Sequence, residues 1–107
     1  MSNRRSMKYI YQVVLQFSPK QMGFDSLVEI EGFLKGKLIG DYVDGNDIGK
    51  DEMNIFILTN EPEKCFNNIL PLIKPDIISK LKAAYRKLDG DDFVILYPKD
   101  LKAFDVL

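Results

Sequence analysis

The sequence predicts an α+β fold with an antiparallel sheet. Three observations favour this class. Short runs of aromatic and β-branched residues have the composition typical of strands. Two stretches between these runs repeat apolar residues at helical spacing. The resulting order is β-α-β-β-α-β, with space for one extra C-terminal strand, and this is the split βαβ pattern of a ferredoxin-like sandwich with two helices on one face of the sheet.

The first half of the chain supplies three of the predicted strands and one helix. Residues 9–17 are apolar on both faces over part of their length, which is typical of a central strand. Asp25 or Ser26 caps the helix that follows. A short second strand is predicted over 38–43 and a third over 53–59, with an acidic connection between them that indicates a hairpin.

The second half contains one ambiguous region. A helix begins around Pro62, whose missing N–H costs little in a first turn, and Pro71 should end or kink it. Residues 75–88 fit one continuous helix. They also fit a short helix near 76–82 followed by a hairpin that turns at Gly90. The second interpretation is favoured slightly over the first.

The size and composition predict one globular domain. The chain has 107 residues, of which 46% are hydrophobic and 29% charged, values ordinary for a globular protein. We expect a flexible N-terminal tail over 1–7, a single domain over 8–98 and a C-terminal tail over 99–107. The chain has no apolar run long enough to span a bilayer and no signal-peptide core. Its one cysteine excludes an intramolecular disulfide and favours a cytoplasmic location.

Several kinds of chemistry are excluded by composition. The chain has no histidine, so Ser-His-Asp and Cys-His catalysis and histidine-ligated zinc sites cannot be built within it. The basic stretch over 74–87 occurs in a chain of pI about 5.4, and a solvated basic face is therefore expected rather than nucleic-acid binding. We predict no catalytic residues, no metal site, no cofactor and no nucleic-acid or membrane partner.

The acidic segment, residues 41–52, concentrates the charge of the chain. It carries five carboxylates and one lysine, a net charge of −4, whereas the whole chain has a net charge of −1. Its match to a calcium-binding EF-hand loop fails, because Ile48 and Ile55 occupy ligand positions. Either it is a solvated hairpin loop or it contacts a basic partner. The candidate partner-binding residues are Asp41, Tyr42, Asp44, Asp47, Asp51 and Glu52.

Three segments carry a resemblance to a known family. Residues 44–49 have the pattern Asp-Gly-x-Asp-x-Gly, residues 54–57 are Asn-Ile-Phe-Ile, and a late strand closes on Tyr97-Pro98. This combination resembles a family of small uncharacterised bacterial proteins and covers most of residues 8–98. The family implies no established catalytic residues. The chain also resembles, in type rather than in motif, the small acidic immunity proteins of bacterial toxin systems.

Three functional hypotheses follow. The first is a non-enzymatic protein-binding protein, an immunity protein that neutralises a basic, nuclease-like toxin through the acidic segment, with Tyr42 as an aromatic anchor. The second is a ferredoxin-like small-molecule-binding or regulatory module that forms a homodimer through a sheet face or edge. The third is a metal-dependent hydrolase that uses the carboxylates of the acidic segment.

Overall fold

The computed structural model describes residues 9–106. The predicted N-terminal tail, residues 1–7, lies outside the described residues. The described chain has an α+β fold with a five-stranded antiparallel sheet, as the sequence predicts. The strands are β1 (Tyr11–Phe17), β2 (Tyr42–Ile48), β3 (Met53–Thr59), β4 (Lys82–Lys87) and β5 (Val94–Tyr97). The helices are α1 (Phe24–Lys37), α2 (Pro62–Ile69) and α3 (Pro75–Ile78), and a 3-10 turn at Leu70–Leu72 follows α2.

Strand β1 lies at the centre of the sheet, whose order is β2-β3-β1-β4-β5. It pairs with β3 on one side and β4 on the other. All five residues from Val13 to Phe17 are buried, because both faces of this strand are covered. The prediction of a central strand from its apolar composition is confirmed, and β2 and β5 form the two edges of the sheet.

The main hydrophobic core lies between one face of the sheet and the helices. Alternate residues of β1 and β3 face this core, as the two-residue period of a strand requires. Helix α1 contributes Leu27 and Leu34, and α2 contributes Phe66 and Ile69. Residues of α3 pack against the same core. The helices therefore share one face of the sheet, where α3, the short helix favoured near 76–82, joins the two helices of the predicted ferredoxin-like pattern.

The second face of the sheet is covered in part by residues 98–106. Phe104 is 8% exposed and packs with Val14 and Ala84 of the central strands. Its ring centroid lies 5.1 Å from that of Phe93. Residues 101–106 form no helix or strand, yet their apolar side chains shield this face from water. A segment expected to be a tail thus contributes to the second layer of the domain.

The ambiguous region over 75–88 forms a short helix followed by a strand. Helix α3 ends at Ile78, and β4 then pairs antiparallel with β5. The favoured prediction is confirmed. Pro71 also ends α2 as predicted, since the helix gives way to the 3-10 turn around it. Arg86 stabilises the β4–β5 turn by donating to the carbonyls of Lys87, Leu88 and Gly90.

The predicted second strand and its hairpin with the third are present, but the predicted bounds of the second strand, 38–43, are wrong. Helix α1 runs to Lys37, and the N–H of Leu38 still donates to the carbonyl of Leu34 at 2.9 Å, so no strand can begin there. Gly40 has a φ of 87° and turns the chain. The strand occupies Tyr42–Ile48 instead and includes half of the acidic segment. Backbone pairing with the apolar strand β3 outweighs the low strand propensity of its Asp, Gly and Asn residues.

Replacing Phe104 with Ala tests the contribution of the C-terminal segment to the second layer. We expect Phe104→Ala to lower the free energy of unfolding by about 3 kcal/mol, because it opens a cavity beside Phe93. Urea denaturation measures this change. Lys102→Ala, on an exposed residue of the same segment, is the control and should change stability by less than about 0.5 kcal/mol. Equal stability of the two variants would show that the segment does not hold the sheet.

Candidate functional site

The acidic segment forms an edge strand and the turn that follows it. Strand β2 pairs with β3, and its other side has no strand neighbour in the sheet. The register shifts between Val43 and Gly45, which places Asp44 in a β-bulge. Gly45 has a φ of 124°, a backbone conformation that favours glycine. The N–H of Gly49 donates to the carbonyl of Glu52 at 2.8 Å and closes the turn.

Three of the six predicted site residues form an exposed group at this edge. Asp44 lies on the bulge, Asp47 on β2 and Asp51 in the turn. All three are exposed. Within residues 9–106 their carboxylates accept no hydrogen bond and form no ion pair. Lys80 and Lys82 line a small cleft with Asp51 without forming an ion pair to it, so the three carboxylates are available to an outside cation.

Asp41 lies apart from that group, on the helix side of the sheet. Its carboxylate accepts a hydrogen bond from the thiol of Cys65 in α2, and Thr59 also bonds to that thiol. Burial raises the pKa of the Cys65 thiol well above its usual range, and the charge of Asp41 and its hydrogen bond raise the pKa further. Cys65 is therefore a protonated, buried thiol rather than a nucleophile.

Glu52 belongs to a polar network on the second face of the sheet. Its Oε2 accepts a hydrogen bond from Asn54 Nδ2 at 2.8 Å and one from Gln16 Nε2 at 3.3 Å. Gln16 Nε2 also donates to Asn54 Oδ1 at 3.0 Å and to the carbonyl of Asp105 at 2.9 Å. Asn54 is fully buried. Glu52 therefore stabilises the sheet, and Gln16 connects the same network to the C-terminal segment.

Tyr42 is half-buried at the start of β2, opposite Leu58 of β3. It lines a cleft of about 380 Å³ together with Asp41 and the last turn of α1. The structure thus divides the six predicted residues into three environments. Asp44, Asp47 and Asp51 form the exposed group, Asp41 and Tyr42 line the cleft, and Glu52 lies in the polar network.

Sequence reasoning missed the contact that holds β2 against α1. Asn46 Nδ2 donates to Glu31 Oε1 at 2.5 Å, and Lys35 Nζ lies 3.6 Å from Glu31 Oε2. Glu31 is buried, so its carboxylate needs these partners. The signal was available, because Glu31 falls on the apolar face of α1 between Leu27 and Leu34.

A second group of exposed aspartates lies near the opposite edge of the sheet. Asp89, Asp91 and Asp92 occupy the turn between β4 and β5. Their number and exposure match those of Asp44, Asp47 and Asp51, and they provide a control of equal charge. In the described part of the chain, no three Cys, Asp or Glu side chains converge closely enough to hold a metal ion. No helix among residues 9–106 is long and apolar enough to cross a membrane.

Comparison with protein-family models, with curated proteins and with solved structures gave no significant match to this chain.

The raised pKa of Cys65 predicts a pH dependence of stability. The unfolded thiol loses its proton near its ordinary pKa, about 8.5, whereas the folded thiol keeps it. The stability contributed by the protonated thiol is complete below that pH and falls above it, by up to about 1.4 kcal/mol per pH unit. Urea denaturation of the wild type and of Cys65→Ala between pH 8 and 10 measures the difference in slope. Parallel curves would contradict the buried, protonated thiol.

Removing the centre of the polar network should destabilise the sheet. We expect Asn54→Ala to lower the free energy of unfolding by about 2–3 kcal/mol, because it leaves the Glu52 carboxylate and the Gln16 amide without their shared partner. Asn68→Ala, on an exposed position of α2, is the control and should be neutral within about 0.5 kcal/mol. Thermal unfolding of both variants checks this expectation, and similar losses would show that the network is not required.

Proposed function

We propose that this protein is a non-enzymatic binding protein that contacts a basic protein partner through the acidic segment. The observation that carries the proposal is the exposed group of Asp44, Asp47 and Asp51, whose charges have no partner within residues 9–106. Clustered like charges disfavour the folded state by mutual repulsion. A cationic surface would offset that repulsion, and the long-range attraction would raise the association rate.

The geometry of the edge suits such a contact. Strand β2 is rigidly supported by β3 and by the Asn46–Glu31 hydrogen bond, so the carboxylates are presented from a fixed scaffold. The bulge at Asp44 and the positive φ of Gly45 interrupt the regular edge, which disfavours pairing with a strand of another molecule. The expected contact is therefore made by side-chain charge rather than by strand addition.

Within this class, the proposed biological role is that of an immunity protein that neutralises a nuclease-like toxin. A nuclease must carry a basic surface to hold phosphates. Carboxylates placed on that surface would occlude it. The resemblance in type to small acidic immunity proteins motivates this role, and a cytoplasmic location is part of the proposal.

The assignment of the α+β fold to the ferredoxin-like sandwich is also a proposal. Four neighbouring strands of the sheet have the order β4-β1-β3-β2, with β5 added at one edge. Together with the element order, this supports the ferredoxin-like sandwich that the sequence predicts. Many unrelated functions use that architecture, so the functional proposal depends on the site and not on the fold.

One observation favours the alternative of a small-molecule-binding or regulatory module. A cleft of about 320 Å³ lies between α1 and residues 72–77. Ile30, Phe33 and Ile77 line it with apolar atoms. Its charged residues are Lys74, Glu29 and Asp76. Its volume is at the lower end for ligand pockets. The hydrolase hypothesis has no comparable observation, because Asp41 and Glu52 are separated from the exposed carboxylates by their own hydrogen bonds.

Charge neutralisation at the edge tests the proposed function. The triple variant Asp44→Asn, Asp47→Asn, Asp51→Asn should bind a basic toxin partner, captured from the native host on the wild-type protein, at least about tenfold more weakly than the wild type does, because three steering and contact charges are lost. Titration of the partner over the surface-immobilised protein, at about 50 and 300 mM salt, measures the affinity and its salt dependence.

The matched control is the triple variant Asp89→Asn, Asp91→Asn, Asp92→Asn, which removes the same charge at the other edge. It should bind like the wild type. Equal weakening by the two triple variants would show that net charge rather than the acidic segment matters. Absence of binding, or binding that salt does not weaken, would overturn the proposed function.

A further inference from the structure

The cleft beside Asp41 combines several features that suit a cation. It lies between the last turn of α1 and the first residues of β2 and has a volume of about 380 Å³. We call it the Asp41 cleft. Its lining residues are Leu34, Lys35, Leu38, Asp41, Tyr42 and Val43.

The walls of the Asp41 cleft are mainly apolar, with one carboxylate. Leu34 and Val43 are core residues, and Leu38 packs against the same core. The Asp41 carboxylate accepts the Cys65 thiol hydrogen bond. A carboxylate has about four lone-pair positions on its two oxygens, so that bond leaves acceptor capacity for a second donor. Apolar walls around this acceptor strengthen a charge-assisted hydrogen bond.

The end of α1 adds partial negative charge to the same cleft. The carbonyl of Leu34 accepts the N–H of Leu38. Within residues 9–106, no backbone N–H donates to the carbonyls of residues 35–37. Free carbonyls at a helix C-terminus carry the negative end of the helix dipole and favour a cation nearby.

The lysines of this last turn contact other residues. Lys35 Nζ lies 3.6 Å from Glu31 Oε2, one turn towards the N-terminus. Lys37 Nζ lies 5.6 Å from the ring centroid of Phe33. The aliphatic stem of Lys35 therefore lines the cleft, while its ammonium group is paired with Glu31.

We infer that the Asp41 cleft receives one arginine side chain of the basic protein partner. This inference rests on the proposed function, since it names the chemistry of the contact. A guanidinium matches a carboxylate through parallel hydrogen bonds and is more weakly hydrated than an ammonium. The arginine stem would pack on Leu38 and Tyr42, the half-buried residues of the cleft wall. Asp44 follows the cleft residue Val43 in the chain and adds attraction at longer range.

Amide chemical shifts of the full chain test this assignment. N-acetylarginine amide is titrated into ¹⁵N-labelled protein, with N-acetylcitrulline amide as the neutral isostere. We expect saturable shifts at Leu34, Leu38 and residues 41–43 with arginine, and at least about tenfold weaker effects with citrulline. N-acetyllysine amide, with a free side-chain amine, should bind more weakly than the arginine probe.

Two variants and one control locate the binding. Asp41→Asn should lower the affinity for the arginine probe about tenfold. Asp47→Asn removes the same charge outside the cleft and should change that affinity less than about twofold. Lys35→Gln removes the cation nearest to the cleft, the ammonium group paired with Glu31, and should tighten arginine binding about twofold. Unchanged shifts outside the cleft confirm that Asp41→Asn is folded. If Asp41→Asn unfolds, the Lys35→Gln variant tests the inference instead. Tighter arginine binding by Lys35→Gln would support the cleft, and unchanged binding would overturn it.

The outcomes separate this inference from the proposed function. Equal weakening by Asp41→Asn and Asp47→Asn, shifts spread over all exposed carboxylates, or no saturable shift would overturn the arginine cleft and leave the acidic segment as the partner site. A different pair of results would support the arginine cleft and overturn the proposed function. In that case the arginine probe binds at the cleft, and toxin binding is unchanged when Asp44, Asp47 and Asp51 are neutralised.

Discussion

The burial of β1 on both faces is the constraint on which the rest of the structure depends. Residues 13–17 are buried throughout, so the sheet needs cover on each side. The helices supply one layer, and Phe104 with its neighbours supplies part of the other. With β1 paired to both β3 and β4, the β2–β3 hairpin extends outward and β2 becomes an edge. The acidic segment lies at the periphery because the centre of the sheet is already occupied.

An edge position gives the carboxylates two physical roles. Charge, a bulge and a left-handed glycine all discourage edge-to-edge association of copies of the chain, and β2 has each of these features. The same features leave Asp44, Asp47 and Asp51 exposed towards a cationic surface. Their carboxylates form no ion pair within residues 9–106, which leaves them available for binding as a further role.

Much of the fold follows from local patterns, and less of the site does. Strand β3 and the β4–β5 hairpin match their sequence signals, because apolar alternation and the Asp-Gly turn agree with tertiary packing. The extent of β2 does not, since its polar residues form a strand only through pairing with β3. The six candidate residues are neighbours in sequence, yet bulge and turn distribute them over three environments. The partners of Asp41 and Glu52 lie on distant elements, so no local pattern could have predicted their separation.

The central claim is that the charges of Asp44, Asp47 and Asp51 serve binding rather than folding. The most direct measurement is the free energy of unfolding of the variant with all three replaced by Asn, which keeps the turn preferences of Asp and removes its charge. The account predicts stability equal to the wild type, or up to about 1 kcal/mol higher at low salt, with the difference lost near 1 M salt as repulsion is screened. A loss of more than about 1 kcal/mol would contradict it, because these carboxylates would then be holding the fold.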